Sequence, residues 1–189
     1  MLNVCGDSVR VARPLFQVEG GGSIPTSPLQ LNIEKIDIKK ALQLNRLWHS
    51  RLPNLTNWQA CEAYSAEYSN RFYAVMIFGP PVARAFNGTP TLELRRMAIS
   101  SDAPKNTASR MISVTIKILR KSKPWLKKII SYQDTDVHAG TIYKASGWNI
   151  GHITKKSEIR WGKLSKKGNG RIRNEIIATG EKIRWEKTL

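Results

Sequence analysis

Hydrophobic and polar positions change period several times along the chain, and each change marks an element. Leu92, Leu94, Met97 and Ile99 flank Arg95 and Arg96 as a short strand would, and a polar loop from Ser100 to Lys105 follows. Ala108, Met111, Ile112, Thr115, Ile116 and Leu119 then recur at three and four residues, one face of an amphipathic helix. Pro124 stops that helix, and Lys128 to Tyr132 reads as a second strand. Asp134 to Ser146 is expected to form a shorter helix or helical turn, with Gly147 in the place of a C-cap glycine. Strand, loop, helix, strand, helix is a crossover unit, so its two strands are expected to be parallel neighbours. A ligand belongs at the carboxyl end of the first strand, where the next helix directs free N–H groups outward.

The flanking regions extend this pattern. Leu29, Leu31, Ile33 and Ile36 alternate as a strand, and Asp37 is placed to cap a helix from about Ile38 to Leu47. From Trp58 the period is two, a turn falls at Ser69-Asn70-Arg71, and Phe72 to Phe78 is strongly apolar, so an antiparallel hairpin is expected. Arg95 and Arg96, adjacent in a strand, are expected to face opposite ways. The element order is β-α-β-β-β-α-β-α-β, a mixed sheet with helices on its faces, of class α/β or α+β. Residues 1–28, with Gly20-Gly21-Gly22 and three prolines, read as an irregular arm. Residues 29–153 form the expected domain, and 154–189 a basic tail of short strands and turns.

Composition adds a partner. The chain of 189 residues carries a formal charge of +17, with a pI near 10.2. The hydrophobic share of 41% supports a core, so the surplus charge sits on a folded surface and calls for a polyanion, nucleic acid first. Cys5 and Cys61 are far apart and form no CxxC pair, which fits a reducing compartment and gives no zinc site. No apolar run has the length of a membrane span and no signal-peptide core is present, so a soluble cytoplasmic protein is expected.

The element order resembles that of the GNAT acyltransferases, which cradle the pyrophosphate of coenzyme A at the start of the helix after the central strand. The corresponding stretch here is Lys105, Asn106, Thr107, Ala108, Ser109 and Arg110. Ala108 stands where a GNAT loop has its first glycine, but Arg110 replaces the second small residue, to crowd a pyrophosphate or to contact it. Several further pieces, in order, resemble the Mom family. They are Trp48-His49-Ser50-Arg51, Phe72 to Gly79, Leu92 to Ala98, Asn106 to Ile112, Ile130 to Asp134 and Gly140 to Trp148. Mom proteins are phage enzymes, a divergent GNAT branch, that convert adenine in DNA to its N6-carbamoylmethyl form and so evade restriction. The resemblance spans about residues 45 to 153 and leaves out the arm and the tail.

By that resemblance the candidate catalytic residues are Ser109, Asp134, Tyr143, Arg96 and His49. Ser109 at a helix start either bonds a ligand oxygen or caps the helix. Tyr143 either gives a proton to a leaving thiolate or packs in the core with its hydroxyl satisfied. Asp134 orients an adenine amino group, binds a metal, or caps the helix ahead. His49, Asp134 and His138, with Asp136 nearby, leave iron open as a metal, since two histidines and a carboxylate suit non-haem iron. The acyl donor implied is acetyl-CoA or a relative.

For nucleic acid, Lys121, Lys123, Lys127 and Lys128 cluster around Pro124-Trp125, and Lys166, Lys167, Arg171 and Arg173 lie in the tail. Trp161 and Trp185 sit among cations there, flat rings suited to an unstacked base, whereas Trp125 is expected in the core. Double-stranded DNA is the expected partner. The alternatives are an ordinary GNAT N-acetyltransferase acting on protein or RNA, and a basic DNA-binding protein without catalysis. Affinity for duplex DNA should fall about a thousandfold as salt rises from roughly 50 to 200 mM, measured by fluorescence anisotropy. A salt-independent affinity would remove the polyanion argument.

Overall fold

Strand pairing confirms the crossover and sets it in the middle of a larger sheet. A computed structural model describes residues 25–56, 59–155, 157–159 and 177–189. In chain order it holds β1 (Asn32–Lys35), α1 (Ile38–Trp48), β2 (Glu62–Tyr68), β3 (Arg71–Gly79), β4 (Thr91–Ile99) and α2 (Thr107–Ser122). Then come β5 (Lys128–Asp134), α3 (Thr141–Ala145), β6 (Asn149–Thr154), β7 (Ser157–Ile159), β8 (Ile177–Thr179) and β9 (Lys182–Thr188). Seven strands form one sheet in the order β1-β2-β3-β4-β5-β9-β6, and β7 pairs with β8 apart from it. β4 and β5 are parallel, as the crossover requires; β2 and β3 are the expected antiparallel hairpin.

Local chemistry explains the boundaries. Asp37 caps α1 by accepting from Lys39 N and Lys40 N. Ser69 and Asn70 both take positive φ, 47° and 63°, which lets a two-residue turn follow the twist of the hairpin. The first apolar alternation is shorter than expected: Pro28–Gln30 is a 3-10 turn capped by Ser27, and the strand begins only at Asn32. The helix expected from Asp134 to Ser146 contracts to Thr141–Ala145, and Asp134 instead accepts from Asp136 N in a tight turn. Gly147, at φ 65°, ends α3 as expected. Trp148 N donates to the Tyr143 carbonyl and Gly147 N to that of Lys144, the paired bonds of a Schellman cap.

Both faces of the sheet are covered where the apolar residues are densest. Ala41 and Leu44 of α1 pack on Ala63, Val75, Ile77 and Ala98. On the opposite face Met111, Ile112, Ile116 and Leu119 of α2 meet Tyr64, Met76, Phe78, Leu92 and Ile129. β3 is therefore buried on both sides, which accounts for its unbroken apolar run. Among the described residues no helix is long and apolar enough to cross a membrane.

The basic tail is not an appendage. β9 inserts between β5 and β6, antiparallel to both, so a boundary at residue 153 divides the sheet. Trp185, expected among cations for base stacking, is 2% exposed and donates from Nε1 to Gln133 Oε1 at 2.7 Å. Gly140 has φ 71° and lies where a Cβ would run into Gln133 Oε1 and the Trp185 ring, so the approach needs glycine. Trp125, expected in the core, is 42% exposed with Lys123 Nζ 5.6 Å from its ring centroid. Trp185→Ala should lower unfolding free energy by about 3–5 kcal/mol in urea titration. An unchanged midpoint would contradict the placement of β9 inside the sheet.

Candidate active site

The central feature is a fork between two parallel strands. β4 and β5 pair from Thr91–Lys128 to Leu94–Ser131, while β4 runs on to Ile99 and β5 to Asp134. Where they part, β4 carries an extra residue: Ile77 pairs with Arg96 and Phe78 with Leu94, leaving Arg95 without a partner in the β3 register. A bulge bends and twists the strand that bears it, which turns β4 away from β5 at that level. A polar chain closes the apex: Ser131 Oγ donates to the Leu94 carbonyl at 3.2 Å and lies 2.9 Å from the Tyr143 hydroxyl. With the serine proton used on the carbonyl, Tyr143 is the donor of that second bond.

Tyr143 is placed by its helix cap and by β9. Its ring stacks on Trp185 with centroids 5.3 Å apart and meets the Trp148 edge at 5.4 Å. Burial raises the pKa of its hydroxyl, which the bond with Ser131 opposes, so it holds its proton at neutral pH. The ring is thus a core group, and the hydroxyl stands at the apex of the fork.

On the α2 face the fork opens to a cleft of about 190 Å³ lined by Ile99, Pro104, Asn106–Ser109, Thr141, Ile142 and Ala145. Asn106 takes the left-handed conformation, φ 67°, doing the backbone work of a glycine before the helix. Thr107 Oγ1 donates to the Pro104 carbonyl at 2.6 Å and Ser109 Oγ to that of Asn106 at 3.0 Å. Ser109 does not cap α2. The donors left for a ligand are backbone N–H groups of the first turn, which helix geometry leaves without intrahelical acceptors. This fits an anionic pyrophosphate, with the small Ala108 leaving room. Lys105 and Arg110 do not line the cleft; Arg110 Nη2 instead lies 3.4 Å and 3.5 Å from the Leu29 and Leu31 carbonyls.

The α1 face carries a different set. Arg96, paired with Ile77, lies on the side of α1, where its charge acts on His49, with His138 also coupled to that imidazole. Asp134 Oδ2 lies 3.4 Å from Arg51 Nη1. Burial first, then the Arg96 charge and the coupling to His138, lower the His49 pKa, so the imidazole is neutral. His49 Nδ1 accepts from Leu52 N at 3.2 Å, so its proton sits on Nε2. That tautomer opposes the iron expectation: a histidine that binds a metal through Nε2 donates from Nδ1, and this one accepts there. Asp134 is oriented by Arg51 on one oxygen and by Asp136 N on the other. Among the described residues no group of three His, Cys, Asp or Glu side chains is placed to hold a metal. Simple alternation does not hold for Arg95 and Arg96, because Arg95 sits in the bulge, with its Nε 3.5 Å from Glu93.

Of the lysines proposed for nucleic acid, Lys121 and Lys127 are exposed. Lys123 lies 3.6 Å from the buried Glu62, and Lys128 lies 2.7 Å from Glu186, so both are engaged within the fold. Lys166, Lys167, Arg171, Arg173 and Trp161 lie outside the described residues. Ser131 was missed from sequence; its signal was a small polar residue directly after Ile129 and Ile130 in the second strand of the crossover. Arg51 and Glu93 gave no such signal, since charged residues beside a loop and in a strand have many ordinary places.

Solved structures share the fold. A Bacillus subtilis acetyltransferase in complex with CoA aligns with TM-score 0.58 and 16% identity, over 84% of this chain and 99% of that one. A GNAT family acetyltransferase from Elizabethkingia anophelis with acetyl-CoA bound gives 0.57 and 15%, over 85% and 99%. The ribosomal-protein-S18-alanine N-acetyltransferase from Escherichia coli gives 0.54 and 11%, over 84% and 93%. The fold is that of the GNAT acetyltransferases. No curated protein matches the sequence. The profile of the Mom protein family matches residues 30–188, so the likeness extends beyond residues 45 to 153 and takes in β9. On that match, the chain belongs to the Mom protein family.

Proposed function

We propose that the protein is an acyltransferase-type enzyme that modifies adenine in DNA, converting it to N6-carbamoylmethyladenine and so shielding phage DNA from restriction. The observation that carries this reading is the two-faced fork: a cleft at the start of α2 on one side, and Arg96, His49 and Asp134 on the other. Family membership supplies the substrate class. The backbone N–H groups of Ala108 and Ser109 would hold the pyrophosphate of coenzyme A or a related carrier, with Ile99, Thr141, Ile142 and Ala145 along its wall. Transfer from a thioester on such a carrier would give an N6-acyl amide; the carbamoylmethyl group is joined through its CH2 and so needs a donor that carries a leaving group on that carbon.

The chain's own residues have separable tasks. At rest the Tyr143 hydroxyl donates to Ser131, which donates to the Leu94 carbonyl; the tyrosine's proton is available to a departing group and is replaced from solvent. Asp134, steadied by Arg51, accepts from the adenine amino group, and His49 offers an Nε2–H donor. Adenine N6 is enclosed by the duplex, so the base must leave the stack to meet these groups. The surplus of positive charge draws the DNA in.

Nucleosides from DNA of cells expressing the protein should contain carbamoylmethyl-adenine by mass spectrometry. Tyr143→Phe should cut the yield about a hundredfold, and cost about 1 kcal/mol of stability. Normal yield with a lower melting temperature would make Tyr143 a packing residue alone. Unmodified DNA beside newly acetylated protein or RNA would instead favour an ordinary N-acetyltransferase. DNA binding with neither product would favour a non-catalytic DNA-binding protein.

A further inference from the structure

We infer that Arg96 is the receptor for an oxyanion of the acceptor, the phosphodiester adjoining the adenine to be modified. This rests on the function proposed above and gives its α1-face site a ligand contact. Arg96 lies in the fork just past the last β4–β5 pair, on the face opposite the α2 cleft. Its guanidinium is half-buried, and among the described residues only Nη1 has a hydrogen bond, at 2.7 Å to the Arg95 carbonyl. Nε is buried without a partner, and among the described residues no carboxylate forms an ion pair with Arg96.

The nearby carboxylate is already committed. Glu93 lies 3.5 Å from Arg95 Nε and accepts from Val82 N at 2.9 Å. Two adjacent guanidiniums thus share one carboxylate in a partly buried place, and burial followed by the charge of Arg95 lowers the Arg96 pKa. A charge taken out of water without a partner is costly, and an incoming anion offsets that cost. The planar fork of arginine meets two oxygens of a phosphodiester at once, which gives register as well as attraction. His49, within reach of the Arg96 charge and carrying Nε2–H, supplies a neutral second donor.

The face decides the source of the anion. A carrier held at the α2 helix start approaches the fork from the α2 side, so an oxyanion met on the α1 side arrives with the acceptor. For DNA that oxyanion is the phosphate beside the everted nucleotide. The competing role for Arg96 is internal: its bond to the Arg95 carbonyl would hold the bulge and nothing more.

The test combines a backbone-modified substrate with substitution at Arg96. Duplexes carrying one methylphosphonate at each phosphate around the target adenine are assayed with wild type, Arg96→Lys and Arg96→Gln for modified adenine. One position should lower wild-type kcat/KM by about tenfold to a hundredfold. Arg96→Gln should show a similar loss on unmodified DNA and no further loss at that position, with Arg96→Lys between the two. Equal sensitivity of wild type and Arg96→Gln at every position would overturn the inference in favour of the bulge-holding role. A loss confined to the KM for the acyl donor would overturn it in favour of a donor carboxylate. If wild type modifies no adenine, the function fails separately, and inorganic phosphate then probes the receptor. Phosphate should raise the melting temperature of wild type but not of Arg96→Gln; equal shifts would remove the receptor too.

Discussion

The parting of β4 and β5 is the constraint from which the rest of the molecule follows. Two parallel strands stay together for four pairs and then separate where Arg95 adds a residue to β4. Separated strands leave backbone groups without ladder partners, a state that persists only where a ligand or side chains serve them. Ser131 serves the Leu94 carbonyl and receives Tyr143, which closes the fork at its narrow end. The open end faces the first turn of α2 on one side and the Arg96–His49–Asp134 group on the other. A donor and an acceptor can therefore approach the same gap without competing for the same wall.

The insertion of β9 holds this geometry in place. It pairs along the whole of β5 and brings Trp185 beneath the Tyr143 ring, while Gln133 ties the indole to the turn before α3. Tyr143 is consequently fixed from three directions: its helix cap, the stacked indole and the bond to Ser131. The same strand places Glu186 against Lys128 and Arg184, which holds the Glu186 carboxyl below its usual range, chiefly through the bond from Lys128. A segment that is basic in composition is thus structural over Lys182–Thr188, and its charges are partly spent on the fold.

Much of this was legible in sequence because local chemistry decided it. The period of α2, the cap at Asp37, the apolar run of β3 and the glycine after α3 each state a backbone preference within a few residues. The parallel crossover followed from connection rules alone. What escaped was settled by partners distant along the chain. Ile183 and Trp185 do alternate with Lys182, Arg184 and Glu186, yet the alternation says only strand, and charged residues on a face without a covering helix resemble a tail. Lys123 and Lys128 looked free because Glu62 and Glu186 lie far off in sequence. The Arg95 bulge defeated simple alternation, and the tautomer of His49 depends on the backbone of Leu52, which no spacing of histidines and carboxylates reveals.

Backbone amide spectra of the isotope-labelled protein, titrated with coenzyme A and separately with a DNA duplex, test most directly that the two partners meet at the fork from opposite faces. Coenzyme A should shift the amides of Ala108, Ser109 and Ile142, which line the α2 cleft. DNA should shift those of His49, Arg51, Arg96 and Asp134 on the α1 face while leaving the α2 cleft largely unmoved. Overlapping shifts on one face, or coenzyme A shifts away from the start of α2, would contradict the account.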